Sequence, residues 1–241
     1  MRLDKFLEEQ KQGSRKQVKR LLLSKQVTVD GEIVMTINYN VDPFIQEVRV
    51  KGTHLQGKAH RYIMLNKPQG VVTAVKDDKH QTVIDLIGEG PEVEGLFPVG
   101  RLDRDTEGLV FLTDNGQLAY QLAMADKKVV KRYEVRVNGE VTPEDVAYFK
   151  QGVAFLDGPV CRPAELRIIE SSKNDSHCYL DIDEGKFHQV KKMFLSVGKK
   201  VTYLKRLSIG PIILDETLEL GGCRLFSEEE REKLNVFFNS K

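Results

Sequence analysis

Residues 97–116 read FPVGRLDRDTEGLVFLTDNG, a short polar turn set between two apolar runs. The runs at 96–99 and 109–112 carry the aliphatic and aromatic residues that suit a pleated, half-buried surface, so both are expected to be strands. Gly100 and Gly108 let the chain turn tightly and let its backbone approach a ligand. Asp103, Asp105 and Glu107 stand within five residues, beside Arg101 and Arg104. Charges at this density do not suit a buried loop unless they are paired or exposed in a cleft. A calcium loop is the competing reading, because Asp103, Asp105, Glu107, Gly108 and Asp114 fall at its spacing. It fails on three counts: Leu-Val-Phe-Leu-Thr after Gly108 reads as a strand, the last position is Asp rather than a bidentate Glu, and neither flank is helical. No His-x-His or His/Asp cluster accompanies the acids, so no metal site is expected.

Outward from this turn, the apolar patterning predicts further strands at 61–65, 71–75, 131–137, 164–169, 177–182 and 201–204. Helices are expected at 117–124, after the Asp114-Asn115-Gly116 turn, at 145–151 and at 189–197. Thr142-Pro143-Glu144 opens the second of these with a cap, a proline at the first turn and an acid at the positive end. A last helix starts at Ser227. Many strands with few helices, and no strict β-α alternation, give an α+β domain on a mixed, mostly antiparallel sheet.

The N-terminus has a different pattern. Leu3, Phe6 and Leu7 share one helical face, Gly13 breaks the helix, and Ser14-Arg15-Lys16-Gln17 is a capping box. The second helix is expected to bury Val18, Leu21 and Leu22 and to turn Arg15, Lys16, Lys19 and Arg20 to solvent. Val27-Thr28-Val29, Asp30-Gly31 and Glu32-Ile33-Val34 form a hairpin signal. The boundaries read as a domain at 1–51, a linker at 52–60 and a second domain at 61–241.

Charge supports two different modules. Residues 1–25 hold eight bases against three acids, while the whole chain of 241 residues carries only +1. A basic end on a near-neutral body suits phosphate contacts. Cys161, Cys178 and Cys223 are scattered, as expected of reduced thiols in the cytoplasm, and the N-terminus lacks the apolar segment of a signal peptide. No apolar run reaches the roughly 20 residues of a membrane span.

The window Gly100-Arg101-Leu102-Asp103-Arg104-Asp105-Thr106-Glu107-Gly108-Leu109 resembles the signature G-R-L-D-x-x-T-x-G-L of the RsuA-type pseudouridine synthases. Other motifs of that family stand in order: Tyr62–Gly70 around Asn66-Lys67-Pro68, Lys131-Arg132-Tyr133-Glu134-Val135, Glu184-Gly185-Lys186-Phe187-His188-Gln189-Val190-Lys191-Lys192-Met193, and Leu204-Lys205-Arg206 with Ile209-Gly210. The helix–helix–hairpin start resembles the S4 RNA-binding domain. The resemblance implies an enzyme that isomerises a uridine of 16S ribosomal RNA in a small-subunit assembly intermediate, as a cytoplasmic monomer without cofactor. A large-subunit 23S enzyme, or a non-catalytic S4-type assembly protein, is the alternative. It further implies catalytic roles for Asp103 and Tyr133, and a cation near Asp103 that would be Lys191 or, failing that, Lys186. Arg101, Lys186 and Gln189 would bind substrate or help flip the base. Arg2, Lys5, Arg15, Lys16, Lys19, Arg20, Lys67, Lys192, Lys205 and Arg206 would contact RNA. His188 is expected to be structural.

Overall fold

The computed structural model describes residues 1–57, 60–91, 93–156 and 158–238. Its contacts divide into two compact units, one of Met1–Arg61 with Asn115–Leu118 and the chain from Phe226 on, the other of Tyr62–Asp114 and Ala119–Leu225.

In the first unit, α1 (Leu3–Glu9) and α2 (Arg15–Leu23) pack on a small antiparallel sheet of β1 (Val27–Val29), β2 (Glu32–Ile33), β3 (Val48–Val50) and β4 (Thr53–Leu55), in the order β2-β1-β3-β4. The capping box at α2 forms, with the Ser14 amide donating to the Gln17 side chain at 2.7 Å. Leu3, Phe6, Leu7, Val18 and Leu22 of the helices meet Val27, Val29, Val48 and Val50 of the strands in one apolar core. Asp30 and Gly31 both take positive φ, which is what a two-residue hairpin demands. The stretch expected as a linker is ordered in part: Thr53–Leu55 pairs with β3, and residues 58–59 lie outside the described residues. In the same unit the Asn115 amide donates to buried Asp42 at 2.7 Å, while its oxygen accepts from the Leu118 amide.

The second unit is built on one nine-stranded sheet. Its strands are β5 (Tyr62–Lys67), β6 (Phe97–Pro98), β7 (Glu107–Thr113), β8 (Lys131–Asn138), β9 (Glu165–Ser171), β10 (Asp175–Ile182), β11 (Val201–Ile209), β12 (Ile212–Ile213) and β13 (Cys223–Leu225). The order β13-β5-β7-β11-β8-β10-β9 is antiparallel except at β7–β11, with β6 added to β7 and β12 to β11. Helix α3 (Gly116–Ala123) has its first three residues in the first unit and the rest in the second, α4 (Pro143–Gln151) and α5 (Gln189–Ser196) complete the α+β pattern, and α6 (Glu228–Glu232) belongs to the first unit. Gly108 permits the parallel contact: a Cβ there would collide with the backbone oxygen of Arg206, and its φ is +99°.

One expected strand is absent. Residues 71–75 make only a single bridge, Val72 to Thr82. Their β-branched residues suit a strand, but the Val71 carbonyl is drawn inward to the Lys67 ammonium and leaves the ladder. Three short strands, β4, β12 and β13, carry too few residues to show a period.

Candidate active site

The 100–106 turn lies between β6 and β7 and is held from below by the segment after β5. Thr73 Oγ1 donates to the Leu102 carbonyl at 2.9 Å and accepts from the Leu102 amide. The Gly70 amide donates to the Arg104 carbonyl at 2.8 Å. Lys67 adds a buried clamp, its ammonium donating to the carbonyls of Pro68, Val71 and Arg104 at 2.9, 2.8 and 3.3 Å. This corrects the expected phosphate role: Lys67 has no exposed surface, and its three donors are spent on backbone. Burial lowers its pKa to about 8, against the pull of Asp105, Glu107 and Asp103.

Above this support, Asp103 faces a cation from another part of the chain. Lys191 Nζ lies 3.0 Å from Asp103 Oδ2 and 2.6 Å from Asp105 Oδ1. Burial works to raise the Asp105 carboxyl, but the hydrogen bond and charge of Lys191 outweigh it and leave Asp105 below the ordinary value. Lys191 is raised in turn, its burial outweighed by the hydrogen bonds to Asp105 and Asp103. Lys186 is engaged elsewhere: its ammonium bonds Glu184 and reaches the Val160 carbonyl at 3.4 Å. Of the two lysines, Lys191 is the one on Asp103.

The turn before α5 explains why. Glu184, 5% exposed, accepts from Gln189 Nε2 at 2.8 Å, from the Arg162 amide and from Lys186. Gln189 Oε1 accepts from the Lys186 amide at 2.8 Å. Gln189 is therefore buried and committed to the turn, not presented to a substrate as expected. His188 closes the turn in the left-handed region at φ +52°, a conformation costing a non-glycine residue about 1–2 kcal/mol. That places its ring 3.6 Å from Asp103 Oδ1 and stacks it on Phe187. Neither contact is legible from residue type.

Two adjoining hollows, of about 590 and 80 Å³, share Arg101, Leu102, Asp103, Tyr133, Gly185, Lys186 and His188 in their walls. Tyr133, 7% exposed, stands on β8 opposite Arg206 of β11, and both belong to the larger hollow. Arg206 is 2% exposed, donates Nε to the Leu109 carbonyl at 2.8 Å and leaves Nη2 without a partner among the described residues. It forms buried floor and is not the surface phosphate contact expected of it. Lys205, its neighbour, alternates to the other face and lines neither hollow. Lys192 points its ammonium over the Phe155 ring at 5.4 Å. Arg101 is exposed at the rim. In the first unit Lys5, Arg15, Lys16, Lys19 and Arg20 are exposed, whereas Arg2 is paired with Asp4 at 2.6 Å. Among the described residues no three His, Cys, Asp or Glu gather as a metal-ligand set.

Lys131 is a further buried cation of the larger hollow, two residues from Tyr133 on the same face. Burial, then the charge of Arg206, lowers it to about 8. Between that value and the ordinary 10.5 the unfolded chain keeps a proton that the folded chain has shed, so stability rises with pH. Lys67 acts with the same sign. Higher up, burial holds the thiols of Cys161 and Cys178 at about 11 against an ordinary 9.0, which works the other way. Calorimetry between about pH 7 and 9 is therefore expected to show a rising melting temperature, to which the buried amine of Met1 adds with the same sign, and Lys131→Met to reduce the rise. An unchanged slope in the variant would refute the assignment.

Residues 61–196 match the family model described as RNA pseudouridylate synthase, and residues 1–44 match the S4 domain. The chain is a member of the RNA pseudouridine synthase family. An uncharacterized RNA pseudouridine synthase of Bacillus subtilis is 43% identical over 98% of each chain. A ribosomal small subunit pseudouridine synthase A of Vibrio parahaemolyticus is 39% identical, over 95% of this chain and 97% of its own. A crystal structure of a pseudouridylate synthase superposes with a TM-score of 0.67 at 34% identity, covering 97% of this chain and 99% of that one. The synthase is thus an isomerase carrying an S4 RNA-binding domain, on the mixed sheet expected of it. No helix among its described residues is long and apolar enough to cross a membrane.

Proposed function

We propose that this synthase isomerises a uridine of 16S ribosomal RNA to pseudouridine, with Asp103 as the catalytic carboxylate. The reading is carried by one observation: Asp103 sits in the cleft with Lys191 at 3.0 Å, in walls shared with Tyr133. In the reaction the N1–C1′ bond breaks, the uracil turns and C5–C1′ forms. The C5 hydrogen leaves to solvent while N1 gains a proton, so the step balances within substrate and water. A carboxylate is the group that can attack or ion-pair with the electron-poor fragment. Lys191 keeps it company as a counter-charge, Tyr133 offers a ring to the uracil, and Arg101 at the rim fills the space the base leaves when it is flipped from its stack. The 16S assignment is supported by the relatives named ribosomal small subunit pseudouridine synthase A, at 39% and 40% identity over 95% of this chain. The enzyme would work in the cytoplasm, as a monomer, on RNA of an assembling small subunit.

Tritium release from C5-labelled uridine in 16S and 23S transcripts, with and without bound ribosomal proteins, tests this. Release is expected from 16S RNA; release from 23S RNA alone would move the substrate, and none from any RNA would end the reading. The exposed face of α2 would hold phosphates. Replacing Lys16, Lys19 and Arg20 together by alanine is then expected to lower the slope of log affinity against log salt by about 2–3, with melting unchanged. An unaltered slope would take α2 out of the RNA interface.

A further inference from the structure

Phe187 is 68% exposed and, of the large exposed hydrophobic side chains among the described residues, it alone lines the cleft. A lone surface phenylalanine needs no explanation, but this one is neither loose nor part of the core. Its ring lies on the His188 ring with centroids 3.8 Å apart and planes 21° from parallel. His188 is fixed in turn by its left-handed backbone, and the turn beneath it is braced by buried Glu184 and Gln189. So the fold presents a flat aromatic face, mostly in water, stacked on a His188 ring that lies 3.6 Å from Asp103 at the same wall.

Such a face suits one class of ligand in an RNA-acting enzyme. Nucleobases stack on aromatic rings irrespective of sequence, and a preformed ring loses little freedom on doing so. Tyr133 is nearly buried at the inner end of the cleft, whereas Phe187 stands exposed, so the two rings serve different bases. We propose that the Phe187–His188 pair is a stacking platform for a nucleobase flanking the flipped uridine. The proposal rests on the uridine-isomerising reading for what enters the cleft, but its own test does not need turnover.

The chain contains no tryptophan, so Phe187→Trp places a sole indole on the platform. Its fluorescence is expected to be quenched on titration with 16S RNA, while binding is followed separately by filter retention. Binding without any change in emission would overturn the platform, and no binding of RNA would overturn both readings. Phe187→Tyr is expected to hold affinity near wild type, whereas Phe187→Ala and Phe187→Leu weaken it about 10-fold. Recovery by Leu would mean that only apolar bulk is required, and would reject stacking. In tritium release the loss should appear in KM with kcat within about 2-fold, as for a contact made equally in ground and transition states. A fall in kcat alone would put the target uracil itself on Phe187 and reject a flanking base. Absence of tritium release by the wild-type enzyme would reject uridine isomerisation while the fluorescence and affinity series still decide the platform.

Discussion

Asp103→Asn is expected to reduce tritium release from C5-labelled 16S RNA by at least about 10³-fold, the scale on which removing a residue that acts on the reacting atoms is felt. The substitution keeps the shape of the side chain and its place in the turn. The turn itself is fixed by bonds that do not involve the carboxylate: Thr73 to Leu102, and Gly70 and Lys67 to the Arg104 carbonyl. Melting temperature should therefore hold. Affinity for RNA should hold as well, since removing one negative charge from a cleft that receives a polyanion does not weaken attraction. What is lost is the charge that attacks or stabilises the sugar or base. Full release by the variant would remove Asp103 from the chemistry while leaving the membership of the family untouched.

The parts of the chain that sequence could deliver are those whose meaning is local. The turn at 100–106, the capping box at Ser14, the cap at Thr142, the helix start at Ser227 and the Asp30-Gly31 hairpin are all satisfied by residues a few positions apart, and each forms. Contacts across the sheet were legible only as residue types. The resemblance implies RNA contacts for Lys67 and Arg206, yet both lie inside, where a cation is seldom fully buried, and donate to backbone carbonyls. Gln189 is expected to bind substrate from the family motif it stands in, and its amide proves to be consumed by Glu184 and the Lys186 amide. The orientation of residues 186–191 depends on a positive φ at His188, and histidine by type does not announce one. That single backbone state separates Lys186, on Glu184, from Lys191, on Asp103, and it also sets Phe187 at the cleft wall.

Lys191→Met is expected to lower kcat about 10²-fold at neutral pH with KM within a few-fold, roughly 2–3 kcal/mol of transition-state stabilisation. Lys191 is the cation that the structure places between Asp103 and Asp105, at 3.0 and 2.6 Å, and methionine keeps the length of the side chain while removing its charge. Two carboxylates would then stand close together without the cation that contacts both. The Asp105 carboxyl, held below its ordinary value by Lys191, would rise toward that value in the variant. The acid limb of the kcat profile is accordingly expected to move to higher pH in the variant. Lys191→Arg should retain most of the rate and the wild-type profile, because charge and reach survive even where the guanidinium fork differs in geometry. A merely structural lysine would lose stability without moving the profile, and Lys186→Met, which leaves both contacts in place, should not move it either. Equal pH profiles for the Met variant and wild type would show that Asp103 works without the ion pair.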